Sequence, residues 1–443
     1  MLIRLVLSCI VLLLDSASFA QEQTPLVGPH KPTGDVERRS EIPVLETEDE
    51  RAEAKQTEAK EEALRSLFVH GPYTYIPLPA FTYNRNESYW VGALMPILKS
   101  NEKGDLTEIF APQYLHNSSI GETFSMNYFA YPSDTEQYSA VGSYSTKIQH
   151  DIDLTYKNVA AGGGRYILAG EVTWFKNAFR RFFGEGNDAP ERNETNYTSR
   201  EVLMQLTAGI NLTPDFALLW SERYHEEQVQ NGAVTSLPQI RSLFPNTDGL
   251  EGAQVFGHKV ALRYDTRDKQ LVTTQGTYFY GSIELNQNVQ HKDPNRWWRT
   301  TFDVRHFIPH YDGRMIFVAR FHADSVSGPG IPFFEQPTLG GETTLRAFGQ
   351  SRFLDDNALL ISLEERIRLG VKKFADYDIT LEVAPFLDVG RVMDKFSLRQ
   401  VADSQVNPGV GFRVIAEPNV VGRLDIAYGK DGSNIFVGLD YPF

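Results

Sequence analysis

The chain has one cysteine, Cys9, in 443 residues. It lies inside an N-terminal stretch that reads as a cleaved leader, so disulfides and thiolate chemistry are excluded from the mature protein. After that leader there is no apolar run long enough to cross a bilayer as a helix. Mean hydropathy is −0.33. Positive charge is in short supply as well: 43 Lys and Arg stand against 57 Asp and Glu, a net charge of −14, which argues against nucleic acid as a partner. Catalytic signatures are missing too. There is no G-x-S-x-G elbow, no paired zinc-ligand motif and no Walker loop, and the ten histidines are scattered. We therefore expect no enzyme, no cofactor and no metal. A barrel hydrolase built on a strand His and Ser is the weakest alternative.

What the chain does have is aromatics and alternation. Twenty Tyr, 28 Phe and 5 Trp accompany 34 Gly. Strands that alternate apolar and polar residues hide a lipid-facing surface from hydropathy averaging, and aromatic girdles raise these counts. The segment Ile435-Phe436-Val437-Gly438-Leu439-Asp440-Tyr441-Pro442-Phe443 places Ile435, Val437, Leu439, Tyr441 and Phe443 on one face. It reads as the last stave of a membrane barrel, with lipid on that face. The alternative for this segment alone is the edge of a soluble sheet.

Three regions follow from composition. Residues 1–20 carry Arg4, an apolar run Leu5–Leu14 and Ser18-Phe19-Ala20 before Gln21, a secretory signal peptide. Residues 21–70 hold a linker with Pro25, Pro29, Pro32 and Pro43, then an acidic helix over 46–68. That helix either hangs solvated in the periplasm or plugs a barrel mouth. From 71 to 443 the chain is strands and turns. The fold class is all-β: a transmembrane antiparallel barrel with a short N-terminal helical segment. Clear alternating segments, with 73–84 as a proline-bearing first strand and 137–158 as one long strand or a hairpin, total about sixteen or seventeen. A barrel with both ends on one side needs an even number, so sixteen is expected, with one segment between 105 and 158 misread.

Alternation also sorts the charges. On 357–369, Leu359, Ile361, Leu363 and Ile367 face lipid, so Glu364, Arg366 and Arg368 point inward. By the same count Glu382, Asp388, Arg413, Arg423 and Asp425 are inward, as are Arg320, His322 and Asp324. Glu365 lands on the lipid side, where it belongs near an interface. Arg346, on the long loop 327–356, would meet Glu364 and Asp388. A guanidinium fork can bridge two carboxylates, which an ammonium cannot. The competing reading is a solvated arginine on an outer loop. Even within the lumen, its role is open between holding the loop and moving it. Pro77 and Pro79 are two apart, so their missing N–H groups lie on one side of the first strand. They mark either a weak seam against the last strand or merely the approach to the barrel.

Several stretches resemble the bacterial surface-antigen superfamily of outer-membrane assembly barrels, which includes BamA and TamA. Asp265-Thr266-Arg267-Asp268 with Gly276 looks like its D-x-R-D…G strand–turn. Leu339-Gly340-Gly341…Leu345-Arg346-Ala347-Phe348, then Arg352-Phe353-Leu354-Asp355, looks like the loop that members fold back into the lumen. Ser362-Leu363-Glu364, Phe386-Leu387-Asp388-Val389-Gly390, Asn407–Arg413 and Arg423–Tyr428 complete the match. It is strong over 255–443. Earlier it rests on Phe183-Gly184-Glu185-Gly186-Asn187 and the strand pattern. Two departures stand out: Ala347 replaces the usual Gly, and residues 21–70 are too short and of the wrong pattern for a POTRA repeat.

The resemblance implies the Arg346–Glu364–Asp388 triad and an outer-membrane location in a Gram-negative bacterium. It also implies that Tyr441 and Phe443 form the signal read by the host's barrel-assembly machinery. The expected function is insertion or translocation of protein or lipid at the outer membrane. Its partners would be outer-membrane lipids, that machinery during biogenesis and a periplasmic protein. A passive pore or structural barrel with a plugged lumen is the alternative. Since no strand falls in 21–67, deleting Gln21–Leu67 should leave barrel formation intact, read as heat-modifiable mobility on a gel. If the helix plugs the lumen, the deletion should also raise conductance in planar bilayers, and unchanged conductance would place the helix in the periplasm.

Overall fold

The computed structural model describes residues 68–102, 106–290, 295–374, 377–416 and 420–443. The leader, the linker and nearly all of the 46–68 helix lie outside them. Among the described residues one antiparallel sheet of twenty-one strands dominates. Two-residue Val69–His70 is a short extension, and two staves are each broken at a proline. Counted as staves, the sheet has eighteen.

They are β1 (Leu78–Asn84, preceded across Pro77 by Tyr73–Tyr75), β2 (Ser88–Leu94 and, across Pro96, Ile97–Ser100), β3 (Leu106–Asn117), β4 (Gly121–Ser133), β5 (Glu136–Ser145) and β6 (His150–Ala160). The middle staves are β7 (Tyr166–Phe182), β8 (Thr195–Asn211), β9 (Phe216–Asn231), β10 (Ala253–Asp265), β11 (Gly276–Asn288) and β12 (Arg296–His310). The last are β13 (Met315–Ser327), β14 (Asn357–Phe374), β15 (Tyr377–Met393), β16 (Gln405–Ala416), β17 (Val420–Gly429) and β18 (Gly432–Leu439). Each pairs antiparallel with its sequence neighbour, and β1 and β18 come side by side.

The expectation of sixteen staves is corrected. The segment 137–158 is a hairpin, with Gln137 opposite Lys157 and Tyr144 opposite His150. Parity is satisfied by adding a stave here, not by removing one. The turn at 146–149 has no Gly or Pro, so the usual punctuation was missing.

Alternation sets the cross-section. On β10 Val255, Lys259, Ala261, Arg263 and Asp265 are buried, while Phe256, Val260, Leu262 and Tyr264 are exposed. Charge inside and apolar surface outside is the inverse of a soluble sheet and suits a wall between lipid and a filled lumen. Glu365 sits on the outer face as expected. It is half-buried beside the 311–314 turn, 3.2 Å from His310 Nε2.

Long connections gather at one end: 183–194, 232–252, 328–356 and 394–404. Tight ones gather at the other, such as 212–215 and 311–314. Phe182, Tyr197, Val229, Ile240, Leu250, Phe333 and Leu354 form an apolar cluster that joins these long loops to the strand ends.

The eighteen-stave topology puts 134–135 and 146–149 at opposite ends of the barrel. In proteoliposomes, Lys147→Cys should react with a membrane-impermeant thiol reagent from the same side as Lys395→Cys, and Asp134→Cys from the other. Labelling of residues 134 and 147 from one side would restore the single-strand reading.

Candidate functional site

Loop 328–356 turns inward, and most of it is buried. Gly340 (φ +109°) and Gly341 (φ +120°) allow the turn. A Cβ on Gly340 would lie 2.5 Å from the Gly349 carbonyl oxygen, so only glycine fits. Thr338–Leu339 and Phe353–Leu354 pair as a small ribbon at the base of the loop. Leu339, Leu345, Phe348 and Phe353 then pack on Leu360, Phe386 and Ala427 of the wall.

Arg346 at the loop tip is 1% exposed. Its Nε and Nη2 donate to Asp388 Oδ2 and Oδ1, both at 2.9 Å, and its Nη1 donates to Glu364 Oε2 at 2.9 Å. The guanidinium lies 3.3 Å from the Phe386 ring centroid. Phe386 and Asp388 are two apart on β15, so one strand face presents both the ring and the carboxylate. The triad therefore assembles, and the outer-loop reading of Arg346 is excluded.

The triad belongs to a larger array. Glu364 also accepts from Arg366 Nε at 3.0 Å and Arg413 Nη2 at 3.4 Å. Asp425 meets Arg413 Nη1 at 2.7 Å, Arg423 Nη1 at 3.2 Å and Arg346 Nη1 at 3.6 Å. Arg423 Nη2 reaches Glu342 Oε2 at 2.5 Å. Four arginines thus face four carboxylates, and no buried charge in the set lacks an opposite.

The backbone of the tip is held as well. Arg320 Nη1 donates to the Thr343 carbonyl at 2.8 Å, and Arg423 Nη1 to that of Glu342 at 3.0 Å. Ala347 N donates to Asn407 Oδ1 at 3.3 Å, and Asn434 Nδ2 to the Phe348 carbonyl at 3.1 Å. Ala347 is absent from the residues with positive φ. The tip therefore needs no left-handed residue there. Gly429 makes room: a Cβ on it would come 2.8 Å from the Ala347 methyl.

The root of the loop is anchored on the opposite wall. Glu335 accepts two bonds from Arg223, at 3.1 and 2.9 Å, while Arg223 Nε donates to Glu284 at 2.8 Å. Toward the loop end of the barrel, Arg352 Nε meets Asp431 at 2.8 Å, and Arg352 Nη2 donates to the Ala189 carbonyl at 2.9 Å. Gly186 N bonds the Leu354 carbonyl at 2.8 Å. Burial, then the nearby Asp355, holds the Glu185 carboxyl above its ordinary range.

The strand–turn motif is a separate structure. Arg267 binds Asp265 with both Nε (3.0 Å) and Nη2 (3.1 Å) and lies 4.6 Å from the Tyr278 ring. Asp268 accepts from the backbone of Thr274 at 2.9 Å and Gln275 at 3.2 Å. Gly276 has φ +113°, and a Cβ there would lie 2.3 Å from the Thr266 carbonyl oxygen. The motif closes a ten-residue turn whose Val272 packs on Ile415 and Val421, two residues from Arg413 and Arg423 on the same staves.

Tyr441 and Phe443 are not on the lipid face. The last strand stops at Leu439 and Asp440 takes φ +70°. The Tyr441 hydroxyl donates to Glu382 at 3.2 Å, and its ring lies 3.6 Å from the Arg366 guanidinium. Phe443 is buried among Phe307, Ile316 and Val318, and its carbonyl accepts from Arg366 Nη2 at 3.4 Å. Pro442 carried the warning, because it has no N–H to continue a ladder. Pro79 lies within β1 and Pro77 just before it. β1 lies beside β18, in sparser contact than other neighbouring staves among the described residues.

A family model described as the Omp85 superfamily domain matches residues 135–435. The chain belongs to the Omp85 superfamily. No curated protein matches it. Among solved structures it is similar to BamA from Haemophilus ducreyi lacking POTRA domains 1–3, with 13% identity, TM-score 0.48, and 87% of this chain and 77% of that one covered. It is also similar to CdiB from Acinetobacter baumannii (12%, TM-score 0.41, 84% and 60% covered). For CdiB from Escherichia coli the figures are 12%, 0.43, 84% and 62%. The chain spans less than two thirds of either CdiB.

In this Omp85 barrel, sequence reasoning missed Asn407 and Asn434 as partners of the loop, and the loop's own Glu342 and Glu335 as further anchors. Asn407 and Asn434 fall on inward positions that alternation marks, but no charge drew attention to them.

Arg346→Ala strips Asp388 and Glu364 of their shared cation, at a cost of about 3–5 kcal/mol for a buried pair. The barrel should still form, with loop 328–356 newly open to protease and a lower gel unfolding temperature. Arg346→Lys should recover little of this, since an ammonium cannot span both carboxylates in the fork geometry. Wild-type behaviour of both variants would remove the triad as the holder of the loop.

Proposed function

We propose that this Omp85 barrel assists insertion or translocation of protein or lipid at the outer membrane of a Gram-negative bacterium, through the seam between β1 and β18. The carrying observation is that β1 and β18 lie side by side with far sparser contact than any other two neighbouring staves among the described residues. Neighbouring staves elsewhere share eight to fifteen register pairs along most of the wall. Pro79 adds to this, because its nitrogen can donate to neither neighbour. Ladder bonds are what hold a barrel wall shut in lipid, since unpaired backbone groups there are costly. A wall with one weak line opens at that line.

The occupied lumen points the same way. Loop 328–356 spans the interior, tied by buried ion pairs to β9 at its root and to β14 and β15 at its tip, so clearing it from an axial path requires breaking those pairs, whereas a lateral path does not. This favours the seam over the passive-pore reading. No catalytic role is assigned. Delivery by the host's barrel-assembly machinery and help from a periplasmic protein complete the proposal.

The test is the rate at which an unfolded outer-membrane barrel inserts into liposomes containing this protein. Acceleration is expected, lost when cysteines placed along β1 and β18 are oxidised and regained on reduction. No acceleration over empty liposomes would sink the assembly role. Steady channel conductance in the same preparation would favour the pore.

A further inference from the structure

We propose that Glu201, His225 and Glu227, on the lumen face of β8 and β9, form a binding site for one divalent transition-metal ion of the zinc class. The three lie on the loop-proximal part of the wall, on the opposite side from the Arg346 array. Glu201 and Glu227 are register partners, directly across the β8–β9 ladder. Like charges placed so repel unless something positive lies between them. His225 is two residues from Glu227, on the same face.

One ligand atom from each falls within 4.8 Å of the others. His225 Nε2 is 3.2 Å from Glu201 Oε1 and 3.9 Å from Glu227 Oε2. Ligands at 2.0–2.1 Å around a tetrahedral ion stand about 3.3 Å apart. The spacing is thus that of a site with little rearrangement needed.

Two independent observations point to a ligand. His225 Nε2, though buried and close to Glu201, makes no hydrogen bond, and neither does the buried Glu227 Oε1. His225 Nε2 is aimed at the two carboxylates, 3.2 Å from Glu201 Oε1 and 3.9 Å from Glu227 Oε2. In addition, His225 Nδ1 is held at 2.5 Å by Glu335, which is itself gripped by Arg223. Carboxylate on one ring nitrogen and metal on the other is the usual arrangement of a ligating histidine. In the loaded site that bond would fix the tautomer in which the Nε2 lone pair faces the ion. Arg180 Nη2 takes Glu201 Oε2 at 3.3 Å and leaves Oε1 for the centre. One imidazole and two carboxylates suit zinc, iron or manganese better than calcium or magnesium. No sequence spacing announced the site, because strand pairing brings Glu201 to His225 and Glu227. The competing account is an imidazolium paired with carboxylates and no ion.

The full chain, refolded in detergent and stripped with chelator, would be titrated with zinc chloride, and retained metal counted after gel filtration. One zinc per chain is expected. His225→Asn and Glu227→Gln should weaken binding at least about tenfold, and Glu335→Gln, which only positions His225, by about 10–100-fold. His258→Asn, an exposed histidine on the outer face of β10, should bind as wild type. Variants are compared only where gel mobility shows a folded barrel. If His225→Asn does not fold, the zinc-edge anomalous signal from crystals of the wild-type protein grown with zinc chloride decides instead, expected about 2.1 Å from Nε2. No retained zinc, binding unchanged in Glu227→Gln, or no anomalous peak at His225 would overturn the site.

Discussion

The buried guanidinium of Arg346 holds the rest of the lumen in place. It arrives on a loop that has no ladder of its own beyond the two-residue ribbon at its base. Its partners Asp388 and Glu364 come from two adjacent staves of the wall. Burying three charges is expensive unless geometry is good and every remaining lone pair is met. Here the fork takes both oxygens of Asp388, the ring of Phe386 covers the guanidinium plane, and Glu364 shares its other oxygen with Arg366. Once the arginine is seated, the apolar residues beside it can pack: Leu345 and Phe348 flank it in sequence and join the core cluster. The loop supplies half of that cluster.

The same loop acts as a strut across the lumen. Glu335 near its root is fixed to Arg223 and His225 of β9, and Arg346 at its tip to β14 and β15. Arg352 then ties its return leg to Asp431, in the turn between β17 and β18. Widely separated staves are therefore cross-braced by one segment. Beside the first strand the loop's contact among the described residues is slight: Asn86 Nδ2 donates to the Gln350 carbonyl at 3.5 Å. Rigidity is concentrated on the side of the C-terminal staves, and the first staves are shorter and broken at Pro77 and Pro96.

Much of this was legible in the sequence, because a lipid-facing wall leaves a period-2 record. Alternation placed Glu364, Asp388, Arg413, Arg423 and Asp425 inward, and each is buried there. The resemblance supplied the loop and its arginine. What failed had local causes. The 137–158 hairpin turns at Thr146-Lys147-Ile148-Gln149, with no breaker residue, so it hid one stave. The C-terminal segment keeps its alternation past Leu439, but Asp440 turns the backbone, and Tyr441 and Phe443 enter the lumen where Glu382 and Arg366 wait. Pattern cannot see such a turn when the partners that repay it lie on distant strands. The Glu201–His225–Glu227 group was unreadable for the same reason, since only strand register brings its members together.

The central claim is that loop 328–356 is an integral part of the folded lumen, held by buried charge. Hydrogen exchange of the wild-type protein in detergent tests this without perturbing any side chain. The amides of 338–354 should exchange as slowly as those of the neighbouring staves β14 and β15, because opening the tip exposes an unpaired buried array. Exchange of that segment at the rate of a free surface loop, while the staves stay protected, would contradict the account.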